Sequence, residues 1–458
     1  MKYKVFILAL ALSLLQCPGL ASGEAEPGSS SNQSETFSAE YTRLTKSILL
    51  SGIELERFSL NYRLHYCKTP KLVKLIFFGA QEAGAASALA FEICSVKQFN
   101  KGRNRPLTIN KSRLQRALRT AEVGSIIAAS GSAVALAANV ARYAGNMHSG
   151  FDTRTANKFV SSKLKMIDQL LSQREALVSA NTQNPAFERA VIEGKILRCM
   201  RDAFVDEYST FSTNSRSAMA VQNLFYLLNI SYNVLGAIGA GVGNTAVDKP
   251  RLNGTANVLF TTSGAIAMGA PLLCTAELWV HRKLLRHTQR REYNSSKFSL
   301  EDMTKQRELL QASTAAAGSL MPSLPGTERL ALYTESNDLF VKQIENETTT
   351  MRRLNKIALQ DSLMGPAIGS LLMTQGILGT RGYYKYFPQH PKKQLDLGYK
   401  GSIAGTVATS MAVVGNAAWL LASLSYEHRL KKQNKLPEQL IKDRLNHLDE
   451  VEKIISAL

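Results

Sequence analysis

Three times along the chain, two hydrophobic, small-residue segments follow one another. They lie at 72–96 and 122–145, at 218–243 and 257–280, and at 362–380 and 401–425. Each approaches the roughly 20 mostly apolar residues that a membrane-crossing helix needs. Lipid leaves no partner for an exposed backbone amide, so spanning segments must be helices or closed barrels. No alternating strand pattern is evident here. The expected fold class is therefore all-α: a polytopic membrane protein with six transmembrane helices in three repeated hairpins, carrying extramembrane amphipathic helices. The soluble alternative, six buried helices of one large bundle, fits poorly behind a secretory signal.

That signal is read at 1–23. Lys2 and Lys4 precede an apolar run from Val5 to Leu15, Pro18 and Gly19 break it, and Gly19, Ala21 and Gly23 supply small residues for cleavage. A polar, Ser-rich stretch at 24–40 is expected to be a flexible mature N-terminus. The units then divide as 41–185 (spans 72–96 and 122–145), 186–325 (spans 218–243 and 257–280) and 326–458 (spans 362–380 and 401–425). The expected location is an integral membrane on the secretory or plasma-membrane route, such as a bacterial inner membrane or another internal membrane.

Charge supports this reading and orients it. The net charge is +19, but the cations sit beside hydrophobic segments, and no nucleic-acid motif accompanies them. Anionic lipid headgroups, not nucleic acid, are the expected partner. The turn within the first pair carries Lys97, Lys101, Arg103, Arg105, Lys111, Arg113, Arg116 and Arg119, with no acid before Glu122. The second turn carries Lys249 and Arg251, and the third Arg381, Lys385, Lys392, Lys393 and Lys400. Short basic loops stay on the cytoplasmic side, which leaves the long helical segments extracytoplasmic. The cations after the fourth span (Arg282, Lys283, Arg286) and after the sixth (Arg429, Lys431, Lys432) run against this rule.

The polar helices carry a repeat. An acid stands six residues before an Arg in each: Asp168 and Arg174, Glu301 and Arg307, Glu438 and Arg444. The first two copies lie 133 residues apart, and the same offset superposes Ser130-Gly131 on Ser263-Gly264. At an offset of 277, Gly124-Ser125-Ile126 and Asn139 match Gly401-Ser402-Ile403 and Asn416. The pattern reads as a divergent triplication. The acid and Arg are expected on a solvated face, with neighbouring leucines packing inward.

Within the spans, Glu82 is the sharpest candidate, because an ionised carboxylate in the bilayer must be neutral, paired or wet. Together with Asn139 and Asn416 it forms the candidate intramembrane polar site. Glu92 lies nearer the basic turn and is expected to pair with it. Asn229, Asn233 and Gln375 are expected to hydrogen-bond between helices. Gly239/Gly243, Gly365/Gly369 and Gly401/Gly405 are GxxxG pairs suited to close helix packing, within or between chains. The extramembrane helices suit protein partners or self-association.

No HExxH, CxxC, phosphate loop or nucleophile–base pattern is present, so neither a cofactor nor an enzymatic activity is expected. Cys67 and Cys199 each precede a first span and are able to pair only if both face an oxidising compartment. The sequence favours a non-catalytic membrane scaffold or assembly protein. The alternative is a pseudo-three-fold transporter or channel for a small solute or ion.

Overall fold

The computed structural model describes residues 30–67, 71–104, 108–183, 187–293, 300–316, 364–433 and 436–457. The expected signal at 1–23 and an amphipathic stretch at 328–360 lie outside them. Among the described residues there is no strand. The helices are α1 (Ser30–Cys67), α2 (Lys71–Asn104), α3 (Lys111–His148), α4 (Thr153–Ala180), α5 (Phe187–Ala246), α6 (Asn253–Glu292), α7 (Leu300–Ala316), α8 (364–386), α9 (Pro391–Lys432) and α10 (Pro437–Ala457). Helix α1 begins inside the stretch expected to be flexible. Phe37, Leu44 and Ile48 recur there at helical spacing and are buried.

Five helices, α2, α3, α5, α6 and α9, contain stretches long and apolar enough to cross a membrane. The segment expected as the fifth of six spans falls in α8 and is not among them. Gly365, Pro366, Gly369, Gln375, Gly376 and Gly379 lower its hydropathy.

Local signals set the helix ends. Asn110 accepts from the Arg113 amide at 3.0 Å and caps α3. Asp152 accepts from the Arg154 and Thr155 amides at 3.0 and 3.1 Å and caps α4. Hydrogen bonding to Thr155 holds the Asp152 carboxyl below its ordinary range. Between α3 and α4, Gly150 takes φ +74°, a left-handed conformation that lets the chain reverse. Helix α5 has 60 residues; at 1.5 Å per residue it runs about 90 Å. It therefore passes through both layers of the molecule.

One layer holds α2, α3, the C-terminal half of α5, α6, α8 and α9. Helix α2 packs on α3, α3 on α5, α5 on α6, and α9 back on α2. Helix α8 fills the remaining place. A Cβ on Gly264 of α6 or on Gly369 of α8 would strike the opposing backbone, at Leu372 and Met373 or at Ala267 and Met268. On the other side of α8, Gln375 lies against Gly401 of α9. The contacts thus form a closed circuit of six helices. The second layer gathers α1, α4, the N-terminal half of α5, α7 and α10 around one core that includes Leu55, Leu60, Tyr62, Val160, Val205, Tyr208 and Ile441.

The connections that follow α2, α5 and α8 meet at one end. Gln115 donates to Asp248 at 2.8 Å, Arg103 lies 3.5 Å from Asp396, and the Tyr383 hydroxyl donates to the Arg251 carbonyl at 3.1 Å.

Candidate functional site

Helix α2 turns a polar stripe inward. Phe77, Gln81, Gly84, Glu92, Ser95 and Gln98 recur at intervals that place them on one face, and all are buried. Glu82 is one position, about 100°, away from Gln81. It is half-buried, and one of its carboxylate oxygens is occluded without a hydrogen-bond partner among the described residues. At this level of α2 the interhelical hydrogen bonds are made by Gln81.

Gln81 Nε2 donates to the Ala128 carbonyl at 2.9 Å and to Ser132 Oγ at 3.0 Å. Ser132 Oγ in turn donates to Asn229 Oδ1 at 2.9 Å. Asn233 Nδ2 donates to the same Oδ1 at 2.8 Å. The Tyr232 hydroxyl reaches Gln81 Oε1 at 3.4 Å, and Ser263 Oγ donates to the Tyr232 carbonyl at 2.9 Å. One network therefore ties α2, α3, α5 and α6 through groups that satisfy each other. Interhelical bonds of this kind in bilayers average about 0.6 kcal/mol each.

Glu92 does not pair with the basic turn. Its side chain is 3% exposed and faces α8 and α9. Gln375 Nε2 donates to Glu92 Oε1 at 2.5 Å, while Oε2 has no partner among the described residues. Gly405 of α9 leaves the space for this pair, since a Cβ there would come 2.6 Å from the Glu92 carboxyl carbon. The stripe geometry accounts for the difference: Glu92 stands eleven residues, three turns, beyond Gln81 and so points into the bundle.

Glu82, Asn139 and Asn416 are not joined by hydrogen bonds. Asn139 is buried on α3 and donates to Asn223 Oδ1 at 3.1 Å, and it accepts from Arg142 at 3.2 Å. Asn416 is half-buried on α9, one turn before Trp419, whose ring lies 4.4 Å from that of Phe78. All six GxxxG glycines lie at helix contacts. Gly239 meets Leu259 and Phe260, and Gly243 meets Leu118 and Ala256. Gly365 meets Pro271, Gly369 the Met268 backbone, and Gly401 and Gly405 meet Gln375.

The repeat motif divides in two. Its acids are half-buried or exposed: Asp168 and Glu438 are half-buried and pair with Arg201 and Lys442, and Glu301 is open to solvent. Two of its arginines, Arg174 and Arg444, are not on a solvated face. Arg174 is 1% exposed; it donates to Glu193 at 2.8 Å, to the Ala190 carbonyl at 3.1 Å and to Thr45 at 3.2 Å. Arg444 is buried between Glu56 and Glu207. The Arg307 side chain lies outside the described residues. A buried guanidinium needs several acceptors, and the matching glutamates sit on other helices, where sequence spacing does not reveal them.

Electrostatics in this layer follow from burial and pairing. Burial pushes Glu207 up, but the Arg63 and Arg444 guanidiniums together hold it below the ordinary carboxylate range. Burial lowers Arg444, and Glu56 and Glu207 more than offset that, leaving it raised. Burial and then Glu193 push the Tyr41 phenol up. Cys199 is a free thiol, and the side chain of Cys67, with which it was expected to be able to pair, lies outside the described residues. Among the described residues no cluster of metal-ligating side chains occurs. No known protein family, no curated protein and no solved structure matches the chain.

Proposed function

We propose that this protein is an integral membrane scaffold or assembly protein without catalytic activity. In this reading the six helices of the circuit are six spans, arranged as three hairpins of a triplicated unit. The observation that carries the reading is the polar network from Gln81 through Ser132 to Asn229 and through Tyr232 to Ser263. It joins helices that also touch at glycine, which is the construction of a dry, closed core.

Two further observations support the triplication. Each hairpin's second helix packs on the first helix of the cyclically next hairpin: α3 on α5, α6 on α8, α9 on α2. The motif arginines follow the same order. Arg174 reaches from α4 to Glu193 of α5, and Arg444 from α10 to Glu56 of α1. The gathering of the three basic turns at one end supports a cytoplasmic placement for that end. The helical layer is then extracytoplasmic and presents the surface for protein partners.

Transport of a small cation or proton is the second reading, favoured by the half-partnered Glu92 carboxylate and by the unpartnered Glu82 oxygen. Reconstitution in sealed liposomes separates the two. The scaffold reading expects no ion or proton flux above protein-free vesicles. Flux that disappears in Glu92→Gln overturns it in favour of transport.

A further inference from the structure

The outer face of the six-helix circuit carries a groove at its basic end, between α6 and α8. Its volume is about 520 Å³. Val258 and Ile377 form its apolar wall and are 44% and 46% exposed. Its floor is shallow because α8 presents Gly376 and Gly379 to Thr261 and Asn257 of α6. Beyond the wall stand Thr380, Arg381, Tyr384 and Lys385.

The chemistry changes along the groove in the order a phospholipid requires. Ile377 lies one turn deeper along α8 than Arg381 and two turns deeper than Lys385, with Val258 in the wall beside it and Thr261 and Thr262 further along α6. The cations lie within about one and a half turns of the end of the expected span, the level of the headgroups. Arg381 is exposed and has no ion-pair partner among the described residues. Lys385 lies 5.8 Å from the Tyr386 ring and is otherwise open. The acids of the nearby turns are already engaged: Asp396 by Lys400 and Arg103, Asp248 by Gln115. Lys400 holds the Asp396 carboxyl below its ordinary range, so it stays charged and committed. Tyr384 is 67% exposed beside the cations, as interfacial aromatics are.

We infer that this groove binds one anionic phospholipid, with the phosphate and headgroup on Arg381 and Lys385 and an acyl chain along Val258 and Ile377. The inference rests on the membrane-spanning reading above. An apolar wall continuous with the cationic mouth assigns the occupant to a lipid and not to free phosphate. Basic pockets between transmembrane helices are a recognised form of headgroup site.

The test uses the full chain, extracted in mild detergent and examined by native mass spectrometry. Phosphatidylserine, phosphatidylcholine or inorganic phosphate is added in turn. The expected result is retention of one phosphatidylserine in preference to phosphatidylcholine. Arg381→Ala with Lys385→Ala should weaken that retention by about 30-fold, since each cation near a headgroup contributes about one unit of kcal/mol scale. Lys431→Ala with Lys432→Ala, an exposed basic pair at the end of α9, should leave it unchanged. Equal retention of the two lipids, or equal competition by inorganic phosphate, would each overturn the assignment. Release of the chain from membranes by alkaline carbonate alone would instead remove the spanning reading itself.

Discussion

Arg444 of the last helix donates through Nε to Glu56 of the first described helix at 2.6 Å, across 388 residues of sequence. Its Nη1 also lies 3.3 Å from Glu207, which accepts from Arg63 at 2.5 Å. One buried cluster thus joins the beginning, the middle and the end of the chain. Removing one partner from such a cluster strands the others in a poorly solvated place. Glu207→Gln should therefore lower stability by about 3 kcal/mol, read as a reduced midpoint in denaturant unfolding of the detergent-solubilised protein. An unchanged midpoint would show that the cluster is solvated.

The same carboxylate predicts a pH dependence. Its folded value lies below its ordinary value of 4.5, so its contribution is complete above that pH and is lost as pH falls through the folded value. Thermal stability of the wild type should decline on acidification below about pH 4.5, and Glu207→Gln should flatten that part of the curve. Equal acid sensitivity in the two proteins would assign it to other groups.

Helices α6 and α8 approach at backbone distance, and this predicts a contrast between two glycines of α6. A side chain on Gly264 would meet the Met373 backbone, whereas nothing lies within 4 Å of a Cβ on Gly269. Gly264→Val should abolish the folded circuit or lower its melting temperature sharply. Gly269→Ala should be neutral or should stabilise by about 0.5–1 kcal/mol through helix propensity. Tolerance of both substitutions would mean that α8 does not pack where it is placed.

Gln81 and Glu82 should behave differently despite adjacency. Gln81→Ala removes donors to Ala128 and Ser132 and should cost about 1–3 kcal/mol. Glu82→Gln removes no hydrogen bond recorded for that side chain and should leave the melting temperature close to wild type. A reversed ranking in thermal scans would place Glu82 inward and reinstate it as the central polar group.

Much of this organisation is legible in sequence. The hydrophobic segments at 122–145, 218–243, 257–280 and 401–425 all lie within long helices, and the GxxxG glycines lie at helix contacts. The fifth segment is the weak point, because the glycines that let α8 pack also dilute its hydropathy. A choice between Gln81 and Glu82 needs the rotation of α2, which is set by neighbouring helices and not by local spacing. The burial of Arg174 and Arg444 was hidden for a related reason. Their partners, Glu193, Glu56 and Glu207, belong to helices far away in the chain, and an Arg beside an acid on its own helix reads as a surface pair. Glu92 faced the same difficulty, since the basic turn is its neighbour in sequence and Gln375 is its neighbour in space.

The most direct test of a closed, membrane-spanning bundle is cysteine labelling in intact membranes, in a background lacking the native cysteines. Ser95, Ser132 and Ala408 are each 0% exposed and sit on α2, α3 and α9. Lys111 and Ser149, at opposite ends of α3, are exposed. In a closed spanning bundle Lys111→Cys reacts with an impermeant maleimide from one side only, Ser149→Cys from the other, and the three inner positions from neither. Reaction of Ser95→Cys, Ser132→Cys and Ala408→Cys from both sides would contradict it and reveal a water-filled path through the bundle.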